Sequence, residues 1–136
     1  MTFGHTRFIW NQMLGMLNER YQNNPNLKML SYSKLSSLIP QLKREYPWLK
    51  DVDSIAIQCS VKTLSDTFDR FFKEVCRYPK FKSRKQTVQS YLSTIRGESI
   101  RFNDNQRYVK LPKLGWVKCR MSVPHIENER IKSVTI

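Results

Sequence analysis

The sequence is poor in the residues from which active sites and cross-links are built. Its three cysteines, Cys59, Cys76 and Cys119, are odd in number, far apart and outside any C-x-x-C pair. Neither a disulfide framework nor a zinc ribbon is encoded, and thiols packed as small apolar groups are expected. The two histidines, His5 and His125, stand at opposite ends of the chain with no H-x-x-H spacing, so both read as structural. Four glycines, Gly4, Gly15, Gly97 and Gly115, are too few and too scattered for a phosphate-cradling loop or a nucleophile elbow. No apolar run approaches about 20 residues and no basic amphipathic helix is present, which argues against a membrane role and a cleaved signal segment. Acidic residues are scarce too, 11 against 24 Lys and Arg, for a net charge of +13.

The surplus charge is not spread evenly. Residues 1–76 carry 10 basic and 7 acidic side chains, residues 77–120 carry 12 and 2, and residues 121–136 carry 2 of each. One third of the chain holds most of the field. Such a stretch draws counterions that phosphates displace, so nucleic acid is the leading polyanion and an anionic membrane the lesser one.

The first half has helical periodicity. From Phe3 to Tyr21, Trp10, Met13, Leu14, Leu17 and Tyr21 fall on one face, and Asn23-Asn24-Pro25 closes the helix. A second helical stretch covers about Ser33 to Tyr46, where Pro40, having no amide donor, predicts a kink or two abutting helices. Pro47-Trp48-Leu49 is an apolar connector. Asp51 and Asp53 could be read as a D-x-D metal pair, but their place directly before a strong amphipathic helix makes capping the better account. That helix, about Ser54 to Arg77, is expected to bury Ile57, Val61, Leu64, Phe68, Phe71, Phe72 and Val75. On its other faces Asp66–Arg70 and Asp69–Lys73 are candidate ion pairs, and Asp66, Asp69 and Glu74 read as a solvated face.

After Tyr78-Pro79 the pattern changes. Lys80 to Lys85 is a basic loop with Phe81 inside it, which reads as flexible. Beyond it apolar residues alternate at Ile100 and Phe102, at Tyr108 to Leu111 and at Trp116 to Met121, with Asn103-Asp104-Asn105 as a turn and Pro112 and Gly115 as breaks. A last strand, Ile131 to Ile136, is expected to leave an unpaired edge. Arg96, Arg101, Arg107, Lys110, Lys113, Lys118 and Arg120 add cations that alternation could array on one face, a combination suited to tracking a nucleic acid backbone. No active site is complete within these residues, and no cofactor or metal is expected.

Six segments in order carry a more specific message: Gly4-His5-Thr6-Arg7-Phe8-Ile9-Trp10-Asn11; Ser31-Tyr32; Pro47-Trp48-Leu49 with Val52-Asp53-Ser54; Gln58 and Phe71-Phe72; Pro79-Lys80-Phe81-Lys82-Ser83; and Val109 to Lys118 with Leu111-Pro112-Lys113-Leu114-Gly115 at its centre. This series resembles the N-terminal part of the transposon-encoded TnpB (OrfB) proteins, RNA-guided nucleases related to type V CRISPR effectors. The resemblance implies an α+β fold in which an N-terminal helical bundle of about three helices, the second kinked, precedes antiparallel strands forming part of a wedge-like β-barrel. The corresponding divisions are a recognition-like region at 1–78, a basic loop at 79–87 and a partial barrel at 88–136.

It further implies that Tyr32, Ser54 and Gln58 lie near the short motif beside the DNA target, as does the loop around Arg96, and Lys62, one turn beyond Gln58, is a further nucleic-acid-binding candidate. Ser54 stands where the family commonly has Lys, so the motif itself does not carry over. Lys80, Lys82, Arg84, Lys85, Lys110, Lys113 and Lys118 match positions expected along nucleic acid backbones. The family's opening strand and its RuvC-like nuclease with acidic triad and zinc-binding cysteines have no counterpart in these residues. The expectation is therefore a truncated, non-cleaving binder of DNA and guide-type RNA. It would be prokaryotic, cytoplasmic and nucleoid-associated, and a monomer unless a separate chain supplies the remainder. A standalone nuclease-less regulator and a degenerate remnant are the alternatives.

Overall fold

A computed structural model describes residues 2–85, 89–94, 100–120 and 131–136. Helix α1 spans Thr2–Asn23, α2 Tyr32–Ser37, α3 Ile39–Glu45 and α4 Ser54–Phe72, with a 3-10 helix at Pro47–Asp51. Strands β1 (Leu92–Thr94), β2 (Arg101–Phe102), β3 (Tyr108–Leu111), β4 (Gly115–Lys118) and β5 (Ser133–Thr135) follow. The fold is α+β, as expected, but the strands make two small antiparallel sheets, β1-β5 and β2-β3-β4, and no closed barrel among the described residues.

The helical core forms because α1 buries Ile9, Trp10, Met13, Leu14 and Leu17 against Ile57, Val61, Leu64 and Phe68 of α4, with Leu35, Ile39 and Leu49 closing it. Recurrence at three and four residues puts each set on one stripe. A polar bond also joins α1 to α4, where the Ser60 hydroxyl donates to the Thr6 carbonyl at 2.9 Å. The second helical stretch is divided at Leu38, with Pro40 in the first turn of α3, where its missing amide costs nothing. The apolar connector is the 3-10 helix, held to α1 by rings: Trp48 lies 4.8 Å from both His5 and Phe8, and Phe8 4.8 Å from Tyr46. His5 thus packs within this group of rings, while His125 lies outside the described residues.

Two helix assignments need correction. Tyr21, expected on the buried stripe of α1, is 63% exposed. Helix α4 stops at Phe72 rather than Arg77, leaving Phe72 61% exposed and Val75 outside the core, with Phe71 half-buried. The stop is a Schellman closure: the Val75 amide donates to Arg70 O and the Glu74 amide to Phe71 O, both at 2.9 Å, with Glu74 at φ 58°. Glutamate occupies the left-handed position usually held by glycine, which is why composition did not mark the end. Tyr21, Leu27, Phe71, Phe72 and Tyr78 consequently line an open apolar cavity of about 530 Å³. The ion pair formed on α4 is Lys62–Asp66, in place of the expected Asp66–Arg70 and Asp69–Lys73 pairs among the described residues.

The strand expectations hold for β2 and β3. The stretch from Trp116 ends at Lys118, and Met121 lies outside the described residues. Strand β5 is not left with two open edges, because β1, which has no alternating apolar pattern, pairs with it. Ser93 faces Val134, and reciprocal hydrogen bonds of 3.0 Å join Tyr91 to Ile136. A second small core of Ile100, Val109 and Leu111, with Phe102, Val117, Val134 and Ile136 against it, joins the two sheets. Cys59, Cys76 and Cys119 are free and half-buried. Burial pushes the Cys59 thiol up, against a smaller opposing effect from Thr94 of β1.

The helices and β1 meet at Asp53, which is buried. One carboxylate oxygen accepts the Ile55 amide at 3.0 Å, capping α4, and the other accepts the Ser93 hydroxyl at 2.7 Å. Asp51, the other capping candidate, is exposed in the 3-10 helix. Replacing Asp53 with alanine removes the cap and strands a buried hydroxyl, an expected loss of about 2–3 kcal/mol by urea unfolding. Asp53→Asn retains both partners and is expected to cost about 1 kcal/mol, chiefly the charge at the helix N-terminus. Equal losses for the two variants would contradict this role.

Candidate nucleic-acid interface

Three surfaces carry the residues singled out by sequence. The first is the outer ridge of α4, where Ser54, Gln58 and Lys62 recur every fourth residue and so stack along one face. Tyr32, the first residue of α2, comes to the same face, with the Lys62 ammonium 5.7 Å from its ring centre. Lys62 also hydrogen-bonds Asp66, and that carboxylate holds its ammonium above the usual lysine range. Lys43, from α3, reaches across and donates to the Ser54 hydroxyl at 2.7 Å. Four candidates named in sequence thus share one surface, and Lys43 joins them. It went unnoticed because nothing in a local pattern joins α3 to the start of α4.

The second surface is the basic segment after Pro79, and it is not a free loop. Side chains of α1 pin it. The Asn18 side-chain oxygen Oδ1 accepts the Tyr78 hydroxyl, the Trp10 indole donates to Lys80 O at 3.0 Å, and Asn11 closes two bonds on Lys82. Its amide nitrogen donates to Lys82 O at 3.0 Å, and its oxygen accepts the Lys82 amide at 2.8 Å. Asn11 and Asn18 are two turns apart, about 10 Å along the helix, so the bonds they make hold both ends of the segment from Tyr78 to Lys82 along α1. The segment is a strap running antiparallel to α1. A motif reading could flag Asn11, since it sits in the first resembling segment, but its partner lies 71 residues away.

This pinning sorts the strap's cations. Lys80, Arg84 and Lys85 are exposed. Lys82 is half-buried with its ammonium 4.1 Å from the Trp10 ring centre, and desolvation holds its pKa below the usual lysine range. The Lys82 charge therefore costs stability at neutral pH, a cost that fades in the alkaline range as pH rises through its lowered pKa. Phe81 projects outward between Lys80 and Lys82.

The third surface is the outer side of the β2-β3-β4 sheet. Register sets Arg101 beside Lys110 and Lys110 beside Trp116 in one row, and Tyr108 beside Lys118 in the next. Because side chains alternate, Phe102, Val109 and Val117 face the core while these five face solvent. Lys113 instead occupies the β3–β4 turn at φ 64°, exposed beyond the sheet. Arg96 lies outside the described residues. Among the described residues no group of three or more His, Cys, Asp or Glu side chains is placed to hold a metal ion. No helix there is long and apolar enough to cross a membrane.

Comparison with known proteins bears on these surfaces. Residues 1–25 match a family described as a helix-turn-helix domain, of the OrfB type found in IS605 elements; in this chain they comprise α1 and its closing turn. The chain is 31% identical over 121 residues, 88% of its length, to an Escherichia coli (strain K12) protein named as a candidate RNA-guided DNA endonuclease, InsQ. It is 29% identical over 91 residues, 65% of its length, to a Streptomyces pristinaespiralis protein named as a candidate RNA-guided DNA endonuclease. The resemblance to the OrfB proteins drawn from six sequence segments therefore holds. The chain spans 29% and 22% of the lengths of these two relatives.

The strap geometry makes Asn11 a positioning residue for the exposed cations. Asn11→Ala leaves the Lys82 amide and carbonyl without partners, expected to weaken the strap by about 2 kcal/mol. Trypsin should then cut within residues 80–85 about tenfold faster or more, while far-ultraviolet circular dichroism still reports folded helices. Unchanged cleavage would mean the strap is held by something other than Asn11.

Proposed function

We propose that this chain is the nucleic acid-holding front part of an RNA-guided, DNA-targeting protein of the OrfB kind. In this reading the α4 ridge, with Tyr32, Lys43, Ser54, Gln58 and Lys62, approaches the short motif beside the DNA target. The strap cations Lys80, Arg84 and Lys85 and the sheet cations Lys110, Lys113 and Lys118 follow phosphate backbones of guide RNA and target DNA. Lys82 acts mainly by packing the strap on Trp10. Arg96 retains its expected place near the motif, and the chain by itself does not cut DNA. Its setting is the nucleoid of a prokaryotic cytoplasm.

The observation that carries this reading is the convergence on the α4 ridge. Residues far apart in sequence, chosen because they match positions near DNA, share one face with a cation at each end, Lys43 beside Ser54 and Lys62 beneath Tyr32. The helix-turn-helix match supports DNA as a partner, and the names of the two relatives support RNA.

A salt titration tests the reading. If about six phosphates are contacted, the logarithm of affinity for duplex DNA should fall against the logarithm of salt with a slope of about −5. Lys80→Gln should reduce the slope by about 1 with equal effect on all sequences. Gln58→Ala should instead leave the slope unchanged and flatten discrimination among duplexes that differ in a short motif. Absence of binding to DNA and RNA at low salt would refute the proposal.

A further inference from the structure

The outer face of the β2-β3-β4 sheet is built against its own stability. Arg101 and Lys110 are directly opposed across two strands, a like-charge pairing that destabilises a sheet. Tyr108 and Trp116 stand 42% and 49% exposed on the same face, and the residue directly opposite each across the β3–β4 pair is a lysine. In the β3–β4 pair, Tyr108 opposes Lys118 and Lys110 opposes Trp116, so the rings occupy one diagonal and the lysines the other. The Arg101 guanidinium lies 5.9 Å from the Trp116 ring centre. None of these five positions is acidic; of the carboxylates nearest in sequence, Asp104 is in the β2–β3 turn and Glu98 lies outside the described residues. Where local rules are broken in this way, a ligand is the ordinary compensation.

The ligand must offer two things at once: repeated negative charge for three cations, and flat faces for two rings spaced diagonally, about 7–8 Å apart. Duplex nucleic acid supplies the charge but keeps its base faces stacked inside. A single strand supplies both, because its bases turn out and stack on aromatic side chains while phosphates meet the cations between them. An anionic membrane surface would meet the charge, but two rings set among three cations give it little apolar area to bury.

We propose that this sheet face is a stacking platform for single-stranded nucleic acid, with Tyr108 and Trp116 each receiving a base and Arg101, Lys110 and Lys118 the flanking phosphates. The proposal rests on the nucleic acid reading above and adds to it a strandedness, a role for bases and three residues, Arg101, Tyr108 and Trp116, outside that reading. The sheet is held by inward-facing Phe102, Val109 and Val117, so the outward rings can be changed without emptying the core.

The test uses the full chain with four fluorescent oligonucleotides of equal length: single-stranded DNA, single-stranded RNA, duplex DNA, and an abasic single strand with the same number of phosphates. Trp116→Leu and Tyr108→Leu should each weaken binding of the base-bearing single strands by about 5- to 150-fold and leave the abasic strand and the salt slope unchanged. Trp116→Phe should retain most of the affinity, and the DNA and RNA arms show which sugar is preferred. If wild-type chain binds base-bearing and abasic strands equally, or the leucine variants bind as wild type, the platform is wrong while the nucleic acid reading stands. If no oligonucleotide binds at low salt, both fall, and binding to phosphatidylserine vesicles alone would assign the face to a membrane surface.

Discussion

A buried carboxylate at the start of the core helix α4 organises this molecule. Asp53 uses one oxygen to cap α4 and the other to hold Ser93 of β1. The first bond satisfies an amide that would otherwise be orphaned at the helix start, and the second converts a polar residue on a short strand into an anchor. From that junction α4 carries the ridge of Ser54, Gln58 and Lys62, and β1 pairs with β5, whose Val134 packs into the second core beneath the sheet. One side chain therefore connects two of the three cationic surfaces through packed elements.

The strap, the remaining surface, depends on a separate device. The basic segment would be an extended loop if left to itself, since like charges at Lys80, Lys82, Arg84 and Lys85 repel and nothing in its own pattern folds it. Side chains of α1 give it backbone partners, and Lys82 spends its charge over Trp10 rather than in solvent. The result is a strap that presents Lys80, Arg84 and Lys85 from a fixed track. Pre-ordering cations in this way lowers the entropy lost when an anionic strand is bound. It also means that binding and stability are coupled, because a polyanion that neutralises the surface stabilises the folded form that displays it.

The helical half was largely legible because its information is local. The stripes of α1 and α4, the break ahead of Pro40 and the capping role of Asp53 all follow from spacing and residue chemistry within a few positions. The errors have equally local causes. Helix α4 ends where Glu74 adopts a conformation that sequence usually marks with glycine, and β1 was missed because it buries a serine and exposes a leucine. Non-local contacts were out of reach: Asn11 with Lys82, Asp53 with Ser93, and Lys43 with Ser54 each join segments whose proximity no periodicity states. The sheet face was half visible, since alternation grouped Arg101, Lys110 and Lys118 among the cations of one array. Only the strand register brought Tyr108 and Trp116 beside them.

The central claim is that these separate surfaces act as one nucleic acid interface on a fixed frame. Hydrogen exchange of the chain, alone and saturated with a single-stranded oligonucleotide long enough to span the molecule, tests it most directly. The account predicts slowed exchange together at the amides of residues 80–85 and of β3 and β4, with the buried turns of α1 and α4 unchanged. Protection confined to one of the two, or a uniform slowing across the core without a surface footprint, would contradict it.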